Sequence, residues 1–292
     1  MKQNIENNLI HRYVKTNGIN LHYVTQGNGC LMLMLHGFPE FWYSWRYQIA
    51  EFSPEFKVVA LDLRGYNDSD KPQQKSAYVM QEFIEDIKGV ITALGYKKCI
   101  LVAHDWGALI AWNFAYKYPE IIEKLIILNV PHPEKMSQGL LTIKQLIKSW
   151  YILFFQLPFL PERYIKNKNY KFIEKAFIGM AIDKSTFTSA DIQAYKNAIS
   201  KPGALTATIN YYRNVFTRSQ NKRKYSELEI PTLMIWGEED KALGKELTYG
   251  TQAYVKDFQI KYIPNCSHWV QQEKPELVNQ YIREFLAPLR TS

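Results

Sequence analysis

Cysteine is scarce: three residues in a chain of 292, an odd number that cannot form a complete disulfide framework. Cys30 and Cys99 fall in apolar runs that read as strands, so both are expected as reduced core thiols of a cytoplasmic protein. No apolar run approaches the ~20 residues of a membrane-spanning helix. Residues 1–8 are polar and carry no apolar signal core, so neither a membrane span nor a secretory signal is expected. No pair of histidines stands at metal-ligand spacing, and no glycine-rich phosphate loop follows a strand, so no metal or organic cofactor is expected. Internal repeats and low-complexity tracts are also missing. Acidic charge is scarce in one place. Residues 140–224 hold 15 Lys and Arg against 4 Asp and Glu, an excess larger than the net +8 of the whole chain. No nucleic-acid-binding motif accompanies those charges, so they read as a solvated, lysine-rich surface with no nucleic-acid partner.

What is present is a core-forming chain, 47% hydrophobic and long enough for one domain with an insertion. Strand patterns at 11–17 and 19–26 flank Asn17-Gly18, a hairpin signal. Further buried strands are expected at 30–35, 57–61, 99–103, 124–130, 231–237 and 259–263, with helices at 41–52, 78–94 and 275–289. Gly95 supplies a C-cap to the second of these helices. Strand and helix alternate, which predicts a mostly parallel sheet with helices on both faces. The rhythm stops between 140 and 217, where helix-like, aromatic-rich segments are broken at Pro158 and Pro161. A helical cap over 133–224 is therefore expected, inserted between core segments 1–132 and 225–292.

The chain is organised around Ala103-His104-Asp105-Trp106-Gly107, an apolar strand followed almost at once by an apolar helix at 109–116. Small residues at two positions either side of Asp105 fit the sharp strand–turn–helix elbow that presents a nucleophile. The following helix points its free N–H groups at any anion formed there. Asp105 is thus expected to attack a substrate carbon. The resulting ester requires a water-activating base and a group to orient that base. In the order nucleophile, acid, histidine, these are expected in the loops after the last two strands. Asp240, with Glu238 and Glu239 as competitors, and His268 occupy those loops. The backbone N–H groups of Phe38 and Trp106 are placed to form an oxyanion hole, and Phe38–Pro39 is a candidate cis peptide. His36 and His104 are expected to make structural hydrogen bonds. His11, His22 and His132 carry no motif.

Five segments together carry a resemblance: His36-Gly37-Phe38-Pro39-Glu40, Asp62-Leu63-Arg64-Gly65-Tyr66, His104-Asp105-Trp106-Gly107, Asn210-Tyr211-Tyr212-Arg213-Asn214 and 268–275. In this order they resemble the soluble epoxide hydrolases of the α/β-hydrolase fold. The resemblance implies an eight-stranded, mostly parallel sheet with an inserted helical cap. It implies two cap tyrosines that bind and protonate an epoxide oxygen, at Tyr151 and Tyr212, with Tyr211 the nearest rival. Phe38, Trp106 and Phe155 would face the substrate, an apolar epoxide that includes aryl-bearing ones, and the product would be a vicinal diol. Asn67 stands where the family more often has glycine, and its tolerance of the left-handed region is expected to preserve the turn. The alternatives are a haloalkane dehalogenase using the same aspartate and a non-catalytic ligand receptor. A monomer or homodimer is expected.

Overall fold

The computed structural model describes residues 9–216 and 225–287. It opens with the hairpin of β1 (Ile10–Thr16) and β2 (Ile19–Gln26), followed by β3 (Leu31–Leu35), α1 (Arg46–Phe52), β4 (Lys57–Leu61) and α2 (Met80–Ala93). Next come β5 (Cys99–His104), α3 (Trp106–Lys117) and β6 (Ile122–Leu128). Six helices follow: α4 (Pro133–Gly139), α5 (Ile143–Lys148), α6 (Trp150–Phe154), α7 (Leu160–Met180), α8 (Ser189–Ser200) and α9 (Ala204–Arg213). The chain then returns to the sheet with β7 (Thr232–Gly237) and β8 (Phe258–Ile263), and closes with α10 (Val270–Glu273) and α11 (Pro275–Leu286).

The eight strands form one sheet in the order β1-β2-β4-β3-β5-β6-β7-β8. β1, β2 and β4 pair antiparallel, and every pairing from β4 to β8 is parallel. Every residue of β3, β5 and β7 is buried, as a parallel sheet covered on both faces requires. α2 packs on α3, and α3 on β5 and β6; α1 packs on α11 and β4, and α11 on β7.

Local chemistry accounts for the element ends. Asn17 and Gly18 hold φ of 46° and 76°, the left-handed pair a tight hairpin needs. α2 buries Phe83, Ile84, Ile87, Val90 and Ile91, one helical stripe, and Gly95 follows it at φ 84°. Thr188 and Asp191 form a reciprocal capping box on α8. Pro161 sits in the first turn of α7, and the chain leaves the right-handed helix at residues 167–170, splitting α7 in two.

The structure shifts several sequence boundaries. Only residues 46–52 of the helix expected at 41–52 are α-helical, because Trp42–Trp45 form a tighter 3-10 turn. Cys30 is exposed and Cys266 buried, reversing the expectation for Cys30. The apolar run reaches one residue beyond β3, whereas Cys266 lies in the loop pressed against Gly237. The polar stretch 1–8, the expected ends at 217 and 289 and the expected boundary at 224 lie outside the described residues.

Ile126, central in β6 and fully buried, supplies a direct test of this core. Ile126→Ala is expected to cost about 2–5 kcal/mol in urea unfolding with an unchanged m-value. A loss below about 0.5 kcal/mol would contradict close packing at that layer.

Candidate active site

The carboxyl ends of the parallel strands converge on Asp105, which follows β5, the strand between β3 and β6. Asp105 has φ 48° and ψ −122°, a backbone conformation costly for a side-chain-bearing residue. Its carbonyl accepts the Leu109 N–H at 3.0 Å, so the strained residue also begins α3. A Cβ on Gly107 would lie 2.3 Å from the Leu35 carbonyl oxygen, which explains the small residue two positions on. Gly37 is needed for a similar reason: a Cβ there would lie 2.1 Å from Asp105 Oδ1. The next residue donates its backbone N–H to that oxygen, Phe38 N to Oδ1 at 2.6 Å, and the Phe38–Pro39 bond is cis.

The other carboxylate oxygen faces a histidine. His268 Nε2 lies 3.5 Å from Asp105 Oδ2, and its Nδ1–H donates to Asp240 Oδ2 at 2.7 Å. Asp240 is held by three further donors from the loops after β6 and β7. Its Oδ1 accepts the N–H groups of Ala242 and Leu243 at 2.7 and 2.9 Å, and its Oδ2 accepts Asn129 Nδ2 at 2.8 Å. Asn129, the residue after β6, also accepts the Gly237 N–H at 2.9 Å, tying the two strand ends together. The sequence competitors are engaged elsewhere: Glu238 pairs with Lys245, and Glu239 accepts the Cys266 N–H at 2.9 Å.

These contacts set the charges. Burial opposes a charged His268, but Asp240 and Asp105 outweigh it and hold its pKa well above 6.5. Burial likewise works to raise Asp105 and Asp240, yet His268 and the surrounding donors bring both below 3.8. The site sets the His268 imidazole between two carboxylates that both favour its protonated form.

Above Asp105 stands an aromatic box. Tyr212 on α9 meets Phe38, Trp106, Tyr151 and Phe155 edge-on, with ring centroids 5.4, 5.1, 5.8 and 4.9 Å away. Burial, followed by the charge of Asp105, raises the phenol pKa of both Tyr151 and Tyr212, which keeps their protons on. Tyr211 faces the other way. Its hydroxyl donates to the Arg64 carbonyl at 2.6 Å, and its ring stacks on Phe83. Trp106 heads α3 and hydrogen-bonds Tyr212 through its side chain.

Sequence reasoning assigned no role to Glu40, which is buried beneath the site. Its Oε2 lies 2.8 Å from His104 Nδ1 and accepts the Gly37 N–H at 3.2 Å; its Oε1 accepts the amides of Gln271 and Gln272. His104 Nε2 in turn contacts the His268 carbonyl at 2.9 Å. Glu40 therefore braces both the Phe38 loop and the His268 loop, and only its adjacency to the Gly-Phe-Pro segment hinted at this. His36 bridges Gly37 of the Phe38 loop and Leu63 of the loop after β4. Asn67 takes φ 40° as expected and donates to Asp62 at 2.7 Å. His22, Asp62 and Asp68 stand close enough to ligate a cation. Their polar atoms are engaged in hydrogen bonds and ion pairs, including His22 to Asp62 at 2.6 Å and Lys201 to Asp68 at 2.6 Å. His132 is buried against Tyr116 and Tyr254, and burial lowers its pKa to about 4.

This architecture defines a class, and comparison with known proteins agrees with it: residues 31–275 match the family model of the α/β hydrolase fold. Human "Epoxide hydrolase 4" is 44% identical over 286 residues, covering 94% of this chain and 78% of that protein. Caenorhabditis elegans "Epoxide hydrolase 1" is 43% identical, covering 98% of this chain and 72% of the other. Among solved structures, a variant of an epoxide hydrolase from Bacillus megaterium, complexed with its product (R)-3-[1]naphthyloxy-propane-1,2-diol, superposes with a TM-score of 0.88 at 41% identity. That match covers 94% of this chain and 100% of the other. The chain belongs to the epoxide hydrolase family of the α/β-hydrolase fold.

The electrostatics make a signed prediction. The raised His268 pKa stabilises the fold fully below pH 6.5 and less as pH rises through the folded value, while the lowered Asp105 and Asp240 stabilise it above pH 3.8 and less as pH falls through theirs. Asp105→Asn removes one of the two carboxylates that favour the imidazolium. NMR titration of His268 should therefore show its pKa moving down in the variant. An unmoved pKa would mean that Asp105 exerts no field on the imidazole.

Proposed function

We propose that this protein hydrolyses an apolar epoxide, aryl-bearing epoxides included, to a vicinal diol through an ester on Asp105. Residues 133–224 would act as the cap in a cytoplasmic enzyme. The observation that carries the reading is the opposition of one carboxylate and two proton-bearing phenols across an apolar box. Asp105 Oδ2 attacks an epoxide carbon, forming a C–O ester bond as the strained ring C–O bond breaks. The released electron pair stays on the epoxide oxygen, which Tyr151 and Tyr212 stabilise by hydrogen bonding and which takes the proton of one of these phenols to become a hydroxyl. Oδ1, already bound by the Phe38 N–H, becomes the ester carbonyl oxygen. Trp106, at the N-terminus of α3, offers the second backbone donor of the oxyanion hole.

Ester formation cancels the Asp105 charge, and with it part of the field that keeps His268 protonated. The imidazole then gives up its proton, which restores the phenol that protonated the epoxide oxygen, and can act as a base. His268, oriented by Asp240, takes a proton from water as the water oxygen bonds to the ester carbonyl carbon. Collapse of the tetrahedral intermediate expels the diol and restores the carboxylate. Phe38, Trp106 and Phe155 line the apolar side of the substrate site. The aryl diol in the Bacillus megaterium relative supports the choice of substrate class.

The experiment is a substrate panel of styrene-type epoxides and haloalkanes. Diol formation from the epoxides is expected; halide release without diol formation would overturn the reading. Within the same assay, Tyr212→Phe should lower kcat/KM for ring opening by about 10–100-fold. An unchanged rate would remove Tyr212 from the mechanism.

A further inference from the structure

The short helix α6 has two working faces. Tyr151 and Phe155, at its inner side and end, join the aromatic box around Tyr212. Its outer side belongs to a continuous stretch of exposed apolar residues. Leu141, Ile143, Ile147, Trp150, Leu153 and Phe159 are each more than half exposed. Single exposed apolar residues are ordinary, but this many in one segment form a patch that marks an interaction surface. Ring contacts make the patch continuous from α6 to α7: Trp150 meets Phe154 at 6.0 Å, and Phe154 meets Tyr164 at 5.6 Å.

Two cations adjoin this surface, since Arg163 and Lys166 line one cleft with Phe159 and Tyr164. Arg163, Lys166, Lys168 and Lys171 are exposed along α7. The acidic residue among them, Glu162, is turned to Arg213 at 2.8 Å. Outward aromatic and aliphatic side chains flanked by lysine and arginine are the composition of a surface that lies in a lipid interface. A second copy of the chain is a poorer occupant, because a two-fold contact sets each patch against itself and brings the four cations toward their own copies. No helix among the described residues is long and apolar enough to cross a membrane, so such contact would be peripheral.

We propose that the outer face of α5, α6 and the start of α7 docks on the surface of an anionic lipid bilayer. The apolar side chains enter the headgroup boundary while Arg163, Lys166, Lys168 and Lys171 meet the lipid phosphates. Docking in this orientation leaves only the ~10 Å thickness of one helix between the bilayer and the box that contains Tyr151.

The test is co-sedimentation of the full chain with vesicles of phosphatidylcholine alone and of about 70% phosphatidylcholine with 30% phosphatidylglycerol. Binding to the anionic vesicles is expected, weakening as salt shortens the screening length. Ile143→Ser/Ile147→Ser/Phe159→Ser should lower that binding about 10-fold or more while leaving hydrolysis of dissolved styrene oxide unchanged. Lys166→Gln/Lys168→Gln/Lys171→Gln should erase the preference for anionic over neutral vesicles, and it keeps the test alive if the serine variant misfolds. Absence of binding to anionic vesicles would overturn the proposal. So would light scattering that shows a dimer which the serine variant converts to monomer. Neither result depends on which substrate the active site accepts.

Discussion

The structure depends on one strained residue. Asp105 occupies a backbone region that costs on the order of 1–3 kcal/mol, and the surrounding groups over-determine it. Its carbonyl opens α3, its Oδ1 is fixed by the Phe38 N–H, and its Oδ2 faces His268. The smallness of Gly37 and Gly107 follows from it, since a Cβ at either would collide with the elbow or its neighbours. Strain placed at the carboxyl end of a buried central strand leaves the carboxylate at a fixed point above a rigid sheet. Precise placement of that kind is what a displacement reaction requires.

The second constraint is electrostatic and couples the loops after four strands. Asp105 follows β5, Asn129 follows β6, Asp240 follows β7 and His268 follows β8. Asn129 ties Gly237 to Asp240, while Glu40 and His104 brace the Phe38 and His268 loops from below. A buried imidazole between the buried Asp240 and the partly exposed Asp105 is tolerable because each carboxylate favours its charged form and accepts directed hydrogen bonds. The same balance can change during reaction, since removing one carboxylate charge alters the proton affinity of the base.

Much of this was legible in the sequence because it follows from short-range rules. The small residues around Asp105, the alternation of strand and helix, the Asn17-Gly18 turn and the left-handed Asn67 are local, and the structure has them. The placement of Asp240, rather than Glu238 or Glu239, against His268 is only partly local: Ala242 and Leu243 hold its Oδ1 from its own loop, but Asn129, 111 positions away and marked by no motif, holds its Oδ2. Glu40 was likewise invisible as a brace, because its partners His104, Gln271 and Gln272 come from distant loops. Cys30 and Cys266 show the limit of apolar patterning: the pattern marks a strand but not the residue at which it enters or leaves the sheet.

The account stands on a covalent bond between Asp105 and the molecule it turns over. A single turnover in heavy-oxygen water, followed by mass spectrometry of the peptide that contains Asp105, tests that bond directly. The ester route predicts one heavy oxygen in the Asp105 carboxylate, because water attacks its carbonyl carbon. An unlabelled peptide together with a labelled diol would show that water attacks the epoxide itself, and would contradict the account.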